Sequence, residues 1–240
     1  FMPVAAVAPF AIAANLRSYF EEIFVRAGFV FFPAVTELDA GGDQAGLRRV
    51  YLVSSKFMLL GSIFLGSIGI FSARDFFRLW VGSSYAEPTG YPSVATIFYL
   101  LQVGSMIAVP QRIGYQVLLG TRRVKLLALL FAAEGACNLA ISLALVPSYG
   151  LIGVALGTVI PALVFQGFVQ PLSVCRSLQI SLSTYCREVL MRPALLMATL
   201  APLFLLARPL FPSADWANFV FASVAMFSLT SPLVLLIGFT

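Results

Sequence analysis

The chain alternates long apolar runs with short polar connections, and the runs lack the period-two alternation of a membrane barrel strand. Runs of roughly 20 residues, enough to cross about 30 Å of hydrocarbon at about 1.5 Å per residue, recur near 5–35, 51–72, 93–119, 126–146, 151–174, 193–211 and 217–240. Lipid offers backbone polar groups no outside partner, so these runs are expected to be helices. The pattern therefore predicts an all-α, polytopic transmembrane helix bundle of about seven spans. Composition agrees: 60% of the 240 residues are hydrophobic, 10% are charged, and the mean hydropathy is +0.96. So few charges cannot cover a soluble domain of this size, which argues against soluble enzymes and nucleic-acid binders.

The net charge of +5 changes the picture only through its placement. Arg48, Arg49 and Lys56 follow the first run, Arg122, Arg123 and Lys125 the third, and Arg176, Arg187 and Arg192 the fifth, which marks these connections as cytoplasmic. The opposite connections hold Arg74 and Arg78 against Asp75 and Glu87, nothing charged between Pro147 and Gly150, and Arg208 near Asp215. The first span is thus expected to enter from outside and the C-terminal side to be cytoplasmic. An odd number of spans, opening on Phe1 and stopping at Thr240 inside apolar stretches, reads as a fragment from the latter part of a longer transporter. Its expected organisation is a core bundle over 1–175 with about five spans, a cytoplasmic amphipathic connection over 176–192, and two peripheral spans over 193–240.

Two connections carry amphipathic patterns. In Asp39 to Tyr51, Gly41 and Gly42 break the preceding helix and Asp43 is placed to cap the next, with Arg48 and Arg49 beyond. Leu178 to Met191 interleaves Leu182, Tyr185, Val189 and Leu190 with Arg187 and Glu188. Such segments lie at a membrane interface or act as charged spacers.

Candidate chemistry is narrow. Histidine is absent, which removes His-based triads and imidazole metal sites, and Cys137, Cys175 and Cys186 have neither close spacing nor carboxylate neighbours arranged for a metal. No cofactor and no metal are expected. The first run instead holds Arg17, Glu21, Glu22 and Arg26, each costing roughly 2.5–3.5 kcal/mol at a bilayer centre. Setting Arg17 at zero, Glu21 falls at roughly 40°, Ser18 at roughly 100°, Glu22 at roughly 140°, Asn15 at roughly 160° and Arg26 at roughly 180° around the helix. This arc either lines a cavity or is a self-neutralised set of i,i+4 pairs; on either reading Phe24 and Ala27 are expected elsewhere.

The third run adds Gln102, Ser105, Gln111, Arg112, Tyr115 and Gln116 beside Pro110, a natural bending point. Arg112 either faces the cavity or snorkels to the cytoplasmic end. Glu134 and Asn138 sit one turn apart in the fourth run. Glu134 is the expected ion-coupling group, able to take up and release a proton, with a hydrogen-bonded structural carboxyl as the alternative. In the fifth run Gly150, Gly153 and Gly157 suit close helix packing, and Gln166 and Gln170 share a face that extends a polar lining.

Several stretches carry a family resemblance. Pro33-Ala-Val-Thr-Glu37-Leu-Asp-Ala40-Gly-Gly-Asp43 followed by Leu47-Arg48-Arg49, and Leu79-Trp80-Val81-Gly82 with Tyr85-Ala86, resemble segments of polysaccharide flippases in the multidrug/oligosaccharidyl-lipid/polysaccharide (MOP) exporter superfamily. Val117-Leu-Leu-Gly120-Thr-Arg-Arg, then Glu134 and Asn138, then Val146-Pro-Ser-Tyr149-Gly150-Leu-Ile-Gly153-Val-Ala-Leu-Gly157-Thr, are similar to paired helices in the second half of O-antigen flippases. The similarity runs over roughly residues 3–175. It implies spans 8 to 14 of a 14-span transporter, moving a polyprenyl-diphosphate-linked oligosaccharide across the bacterial cytoplasmic (inner) membrane by alternating access, for polysaccharide and lipopolysaccharide biosynthesis.

The implied partners are that lipid-linked substrate, membrane lipids, a coupling ion (H+ or Na+), and polysaccharide polymerase or assembly proteins; nucleic acid is not expected. Asn15, Ser18, Arg17, Glu21, Glu22, Arg26, Arg112 and Gln116 become the expected substrate cavity, and Glu134 with Asn138 the expected ion-coupling pair. The intramembrane charges Arg17, Arg26 and Arg112 balance Glu21, Glu22 and Glu134, so a multidrug or organic-cation exporter of the same superfamily, with carboxylate ligands, stays open. A non-transporting membrane scaffold stays open as well. A membrane enzyme is not expected, because the external connections are short and lack both histidine and a carboxylate cluster.

Overall fold

A computed structural model describes residues 4–86, 91–211 and 215–239, and every regular element among them is helical. Glu87, expected to offset an external arginine, lies outside the described residues. The helices are α1 (Val4–Phe29), α2 (Phe31–Ala40), α3 (Gln44–Val81), α4 (Ser83–Ala86), α5 (Val94–Ala108), α6 (Gln111–Gly120), α7 (Val124–Val164), α8 (Gln170–Ser177), α9 (Leu182–Tyr185), α10 (Met191–Ala207) and α11 (Trp216–Phe239).

Local chemistry explains the breaks. The chain turns through Gly41 and Gly42, the latter at φ 70°, and the Asp43 carboxylate then accepts from the Gly46 N–H at 2.8 Å to start α3. That helix ends at Gly82, at φ 85°. Ser93 caps α5 by accepting from the Thr96 N–H at 3.2 Å. At Val109–Pro110 the missing N–H and the proline ring bend the α5–α6 pair by 42°.

Seven spans do not result. By length and apolarity four helical stretches could cross a membrane, Gln44–Val81, Val124–Ser177, Leu182–Leu210 and Trp216–Gly238, or five if bent α5–α6 counts as one span. The first expected run divides into α1 and α2, and the charges at Arg17, Glu21, Glu22 and Arg26 keep it from qualifying as an apolar span. The fourth and fifth runs join into one 54-residue helical stretch. That stretch is folded rather than straight. Gly150 leaves the helical region at φ 56°, ψ −131°, so the chain doubles back. A methyl group on Gly153 would sit 2.6 Å from the Leu145 carbonyl oxygen, and Gly157 lies against Ser142, so only hydrogen at these positions lets the two arms touch.

Both amphipathic connections run on into neighbouring helices. Residues 44–51 form the first turns of the 38-residue α3 rather than a separate interfacial helix. At about 1.5 Å per residue that helix runs roughly 57 Å, longer than the about 30 Å of a bilayer's hydrocarbon. Leu182 to Leu190 likewise runs on into α10 through a π-type turn at Cys186–Leu190, burying Tyr185 and Val189 while Leu182 and Leu190 stay exposed.

Side-chain packing forms three apolar clusters. The first gathers Val35, Leu47, Tyr51, Ile113, Val117, Val174, Tyr185 and Val189 at the end where the basic connections meet. There the Arg48 guanidinium donates to the Leu178 carbonyl at 2.7 Å and Arg123 to the Ser177 carbonyl at 3.3 Å, so two of the three basic connections converge on the third. The second, toward the opposite end, holds Ala73, Phe77, Val94, Phe98, Leu101, Leu151 and Ala155. The third joins α3 to α10 and α11 through Leu60, Ile63, Leu196, Leu200, Phe204 and Met226.

Candidate functional site

A cavity of about 210 Å³ opens between α1, the bent α5–α6 pair and both arms of the α7 hairpin. Arg17 and Glu21 enter it from α1, Arg112 from α6, Glu134 and Asn138 from the first arm, and Thr158 and Gln166 from the second arm and the π-type turn Phe165–Val169 that follows it. Charges separated by more than a hundred residues of mostly apolar sequence therefore meet around one space. The proline bend brings Arg112 in, since it lies two residues past Pro110. Gly28 lets α1 approach, because a methyl group there would lie 3.3 Å from the Arg112 Cβ. The π-type turn widens the helix by one residue where Gln166 points across to Glu134.

The two carboxylates are held differently. Glu21 lies between two guanidinium groups, with Arg17 Nη1 at 3.2 Å from its Oε1 and Arg112 Nη2 at 3.7 Å from its Oε2. The Ser105 hydroxyl also donates to Oε1 at 2.7 Å. Arg112 stacks over Tyr115, its guanidinium carbon 5.4 Å from the ring centroid. Glu134 has no arginine at ion-pair distance among the described residues; the Gln166 amide donates to its Oε1 at 2.5 Å. Arg17 Nε, Arg112 Nε and Gln166 Oε1 are buried without protein partners, which leaves polar valences around the cavity for water or an ion to meet.

The expected site thus divides. Arg17, Glu21, Arg112, Glu134 and Asn138 come together. Asn15, Ser18, Glu22 and Arg26 do not: all four are exposed on the opposite face of α1, where Glu22 pairs with Arg26 Nε at 3.0 Å and the Ser18 hydroxyl donates back to the Asn15 carbonyl at 2.7 Å. The inward stripe is instead Ala13, Arg17, Glu21, Phe24 and Gly28, so Phe24, expected away from the arc, is buried on the packed face. The reason is steric. The small and aromatic residues of that stripe pack on α3, α5 and α6, whereas among the described residues no helix covers the Asn15–Arg26 side.

Gln116 is buried, but in α6 away from this cavity, and Gln170 donates to the Gln111 carbonyl at 3.0 Å instead of extending the lining. Two contributors do not stand out as site residues in the sequence. Ser105 is only one of the third run's polar residues, and Thr158 carries a hydroxyl of a kind common in apolar spans. Its signal lies in the spacing of Thr158, Ala162 and Gln166, which share one helix face.

Among the described residues no group of three or more Cys, Asp or Glu side chains is placed to hold a metal ion. Cys137 is half-buried, Cys175 buried and Cys186 exposed, and all three are free thiols. No family model matches the chain, and no curated protein or solved structure matches it either. What the site can do follows from its own geometry. It combines a carboxylate fixed between two cations with a second carboxyl that, among the described residues, no arginine reaches at ion-pair distance, inside a wall of apolar helices and beside a bend.

Proposed function

We propose that the chain is part of a membrane transporter of the flippase type, moving a polyprenyl-diphosphate-linked oligosaccharide across the bacterial cytoplasmic membrane for surface-polysaccharide synthesis. The observation that carries the transport reading is the partly buried Arg17–Glu21–Arg112 and Glu134–Gln166 cluster: such groups are expensive among apolar helices and persist where a pathway or a coupling site needs them. The cavity lies against the Pro110 bend and is walled by a hairpin hinged at Gly150, so helix movement can change its access. The oligosaccharide substrate rests on the sequence resemblance.

A cavity of about 210 Å³ is suited to water and a small ion rather than to an oligosaccharide, so within this reading it is the coupling site. Glu134 takes the H+ or Na+, and the Arg17–Glu21–Arg112 triad senses its charge. Two guanidinium groups against two carboxyls give a lining with no cationic excess, which keeps an organic-cation exporter as the second reading.

The test is glycan export in cells lacking their own lipid-linked oligosaccharide flippase. The chain in its full-length protein should restore export, and Glu134→Gln at normal membrane abundance should abolish it, since the amide keeps the shape but not the exchangeable charge. Failure of the parent protein to restore export, with drug resistance conferred instead, would move the assignment to the exporter. Full export with Glu134→Gln would remove the coupling role.

A further inference from the structure

A second cavity, of about 380 Å³, lies between α3, α5 and α10 and shares no lining residue with the charged one. Its wall is apolar, with Ile70, Val103, Met106, Met197 and Phe204 prominent, and among the described residues its one charged lining group is Arg208, at one end. Arg208 Nη1 donates to the Phe71 carbonyl at 3.0 Å, and among the described residues no carboxylate lies at ion-pair distance from it. Met197 to Arg208 is 11 residues of helix, or about 16 Å along the axis, close to half of a bilayer's hydrocarbon thickness of about 30 Å. Arg208 lies level with Phe71, ten residues before α3 ends at Val81, in the half of α3 away from the basic connections. Ala201 and Leu205 are exposed at the rim, so the groove opens sideways from the bundle.

We propose that this groove is a binding site for one anionic phospholipid. An acyl chain lies along the apolar wall through one leaflet, and the headgroup phosphate accepts from Arg208, whose planar donors suit phosphate oxygens. Charge complementarity selects this occupant over a neutral lipid. A second groove, of about 300 Å³ between α1, α3 and α11, supplies an internal contrast, because Leu16, Phe20, Phe76 and Phe219 line it with Ser72 and Ser223 and no charge. It should accept acyl chains without preference for their headgroups.

The experiment is native mass spectrometry of the full-length protein in detergent, titrated separately with dioleoylphosphatidylglycerol and dioleoylphosphatidylcholine. The parent should retain one phosphatidylglycerol with a preference on the order of tenfold, as a charge-assisted hydrogen bond implies. Arg208→Lys should keep most of that preference and Arg208→Gln, which can still donate to Phe71, should erase it. Ala201→Trp, filling the groove, should weaken retention of both lipids, while Ser72→Trp in the uncharged groove should leave the preference unchanged. Equal retention of the two lipids by the parent, or an undiminished preference in Arg208→Gln, would overturn the proposal.

Discussion

On one side of α3, helices α1, α5, α6 and α7 enclose two guanidinium groups and two carboxyls; on the other, α10 and α11 meet it through Leu59, Leu60, Ile63, Leu196, Leu200 and Met226. The aromatic pairs Phe71–Phe204 and Phe64–Phe227, with centroids 5.3 and 5.1 Å apart, belong to the second side. The two sides solve different problems. Lipid tails are as apolar as leucine, so helices α10 and α11 gain from close van der Waals contact rather than from leaving water. Their loss would thin the bundle without touching the charged cavity. On the first side a polar group that loses its partner has nowhere else to turn, and the geometry of every neighbour matters.

The largest expected effect breaks this contrast open. Glu21→Ala leaves Arg17 and Arg112 facing each other without their shared carboxylate, and should cost about 3 kcal/mol, the lower end for a broken buried pair because both arginines keep some exposure. Leu200→Ala, a fully buried position of the second side, should cost about 2 kcal/mol through its cavity. Thermal unfolding of the full-length protein in detergent ranks the two. Adding Arg17→Ala to Glu21→Ala should recover part of the loss, whereas no neighbouring truncation should rescue Leu200→Ala. If Leu200→Ala proved the more damaging and the arginine change rescued nothing, the triad would hold no structural charge balance.

A smaller effect sharpens the distinction between the two carboxyls. Gln166→Ala removes the amide that donates to Glu134 and should lower stability by about 1.5 kcal/mol, as expected for a hydrogen bond to a charged or partly charged acceptor. Gln170→Ala, which removes only a bond to the Gln111 carbonyl, should cost less, about 1 kcal/mol. The same unfolding measurement compares them, and equal losses would mean that Glu134 is held by packing alone.

How far the amino-acid sequence can be read follows the same contrast. Charged and amide residues inside apolar runs announce themselves, which is why Arg17, Glu21, Arg112, Glu134 and Asn138 are legible from their types and positions alone. Pro110 and the Gly41–Gly42–Asp43 break are legible for stereochemical reasons, as a missing N–H and a capping carboxylate act locally. Which half of the α1 arc faces inward is not, because periodicity defines faces but not neighbours. Phe24 and Gly28 settle it by packing against α3 and α6. Span count is less legible: the break at Gly150 falls between the two apolar runs, but apolar length alone cannot reveal that α1 is too polar to qualify as a span or that α3 continues beyond its apolar stretch. The hydroxyl of Ser105 carries no distinguishing signal, since a serine in a span can bond its own backbone, and Thr158 is marked only by sharing a helix face with Ala162 and Gln166.

The smallest expected effect concerns the outward face of α1. Glu22 and Arg26 form an exposed i,i+4 pair, and such pairs contribute only about 0.3–0.5 kcal/mol. The double change Glu22→Ala with Arg26→Ala should therefore shift unfolding by no more than about 0.5 kcal/mol, several times less than Glu21→Ala one residue away. A small thiol reagent should give the matching result in an otherwise cysteine-free full-length protein: fast reaction at Ser18→Cys and Glu22→Cys, and protection at Phe24→Cys and Gly28→Cys. Slow reaction at the first pair, together with a loss near 3 kcal/mol in the double variant, the size set by a broken buried pair, would mean that this face is covered in the assembled protein and that the outward charges belong to a second polar interface.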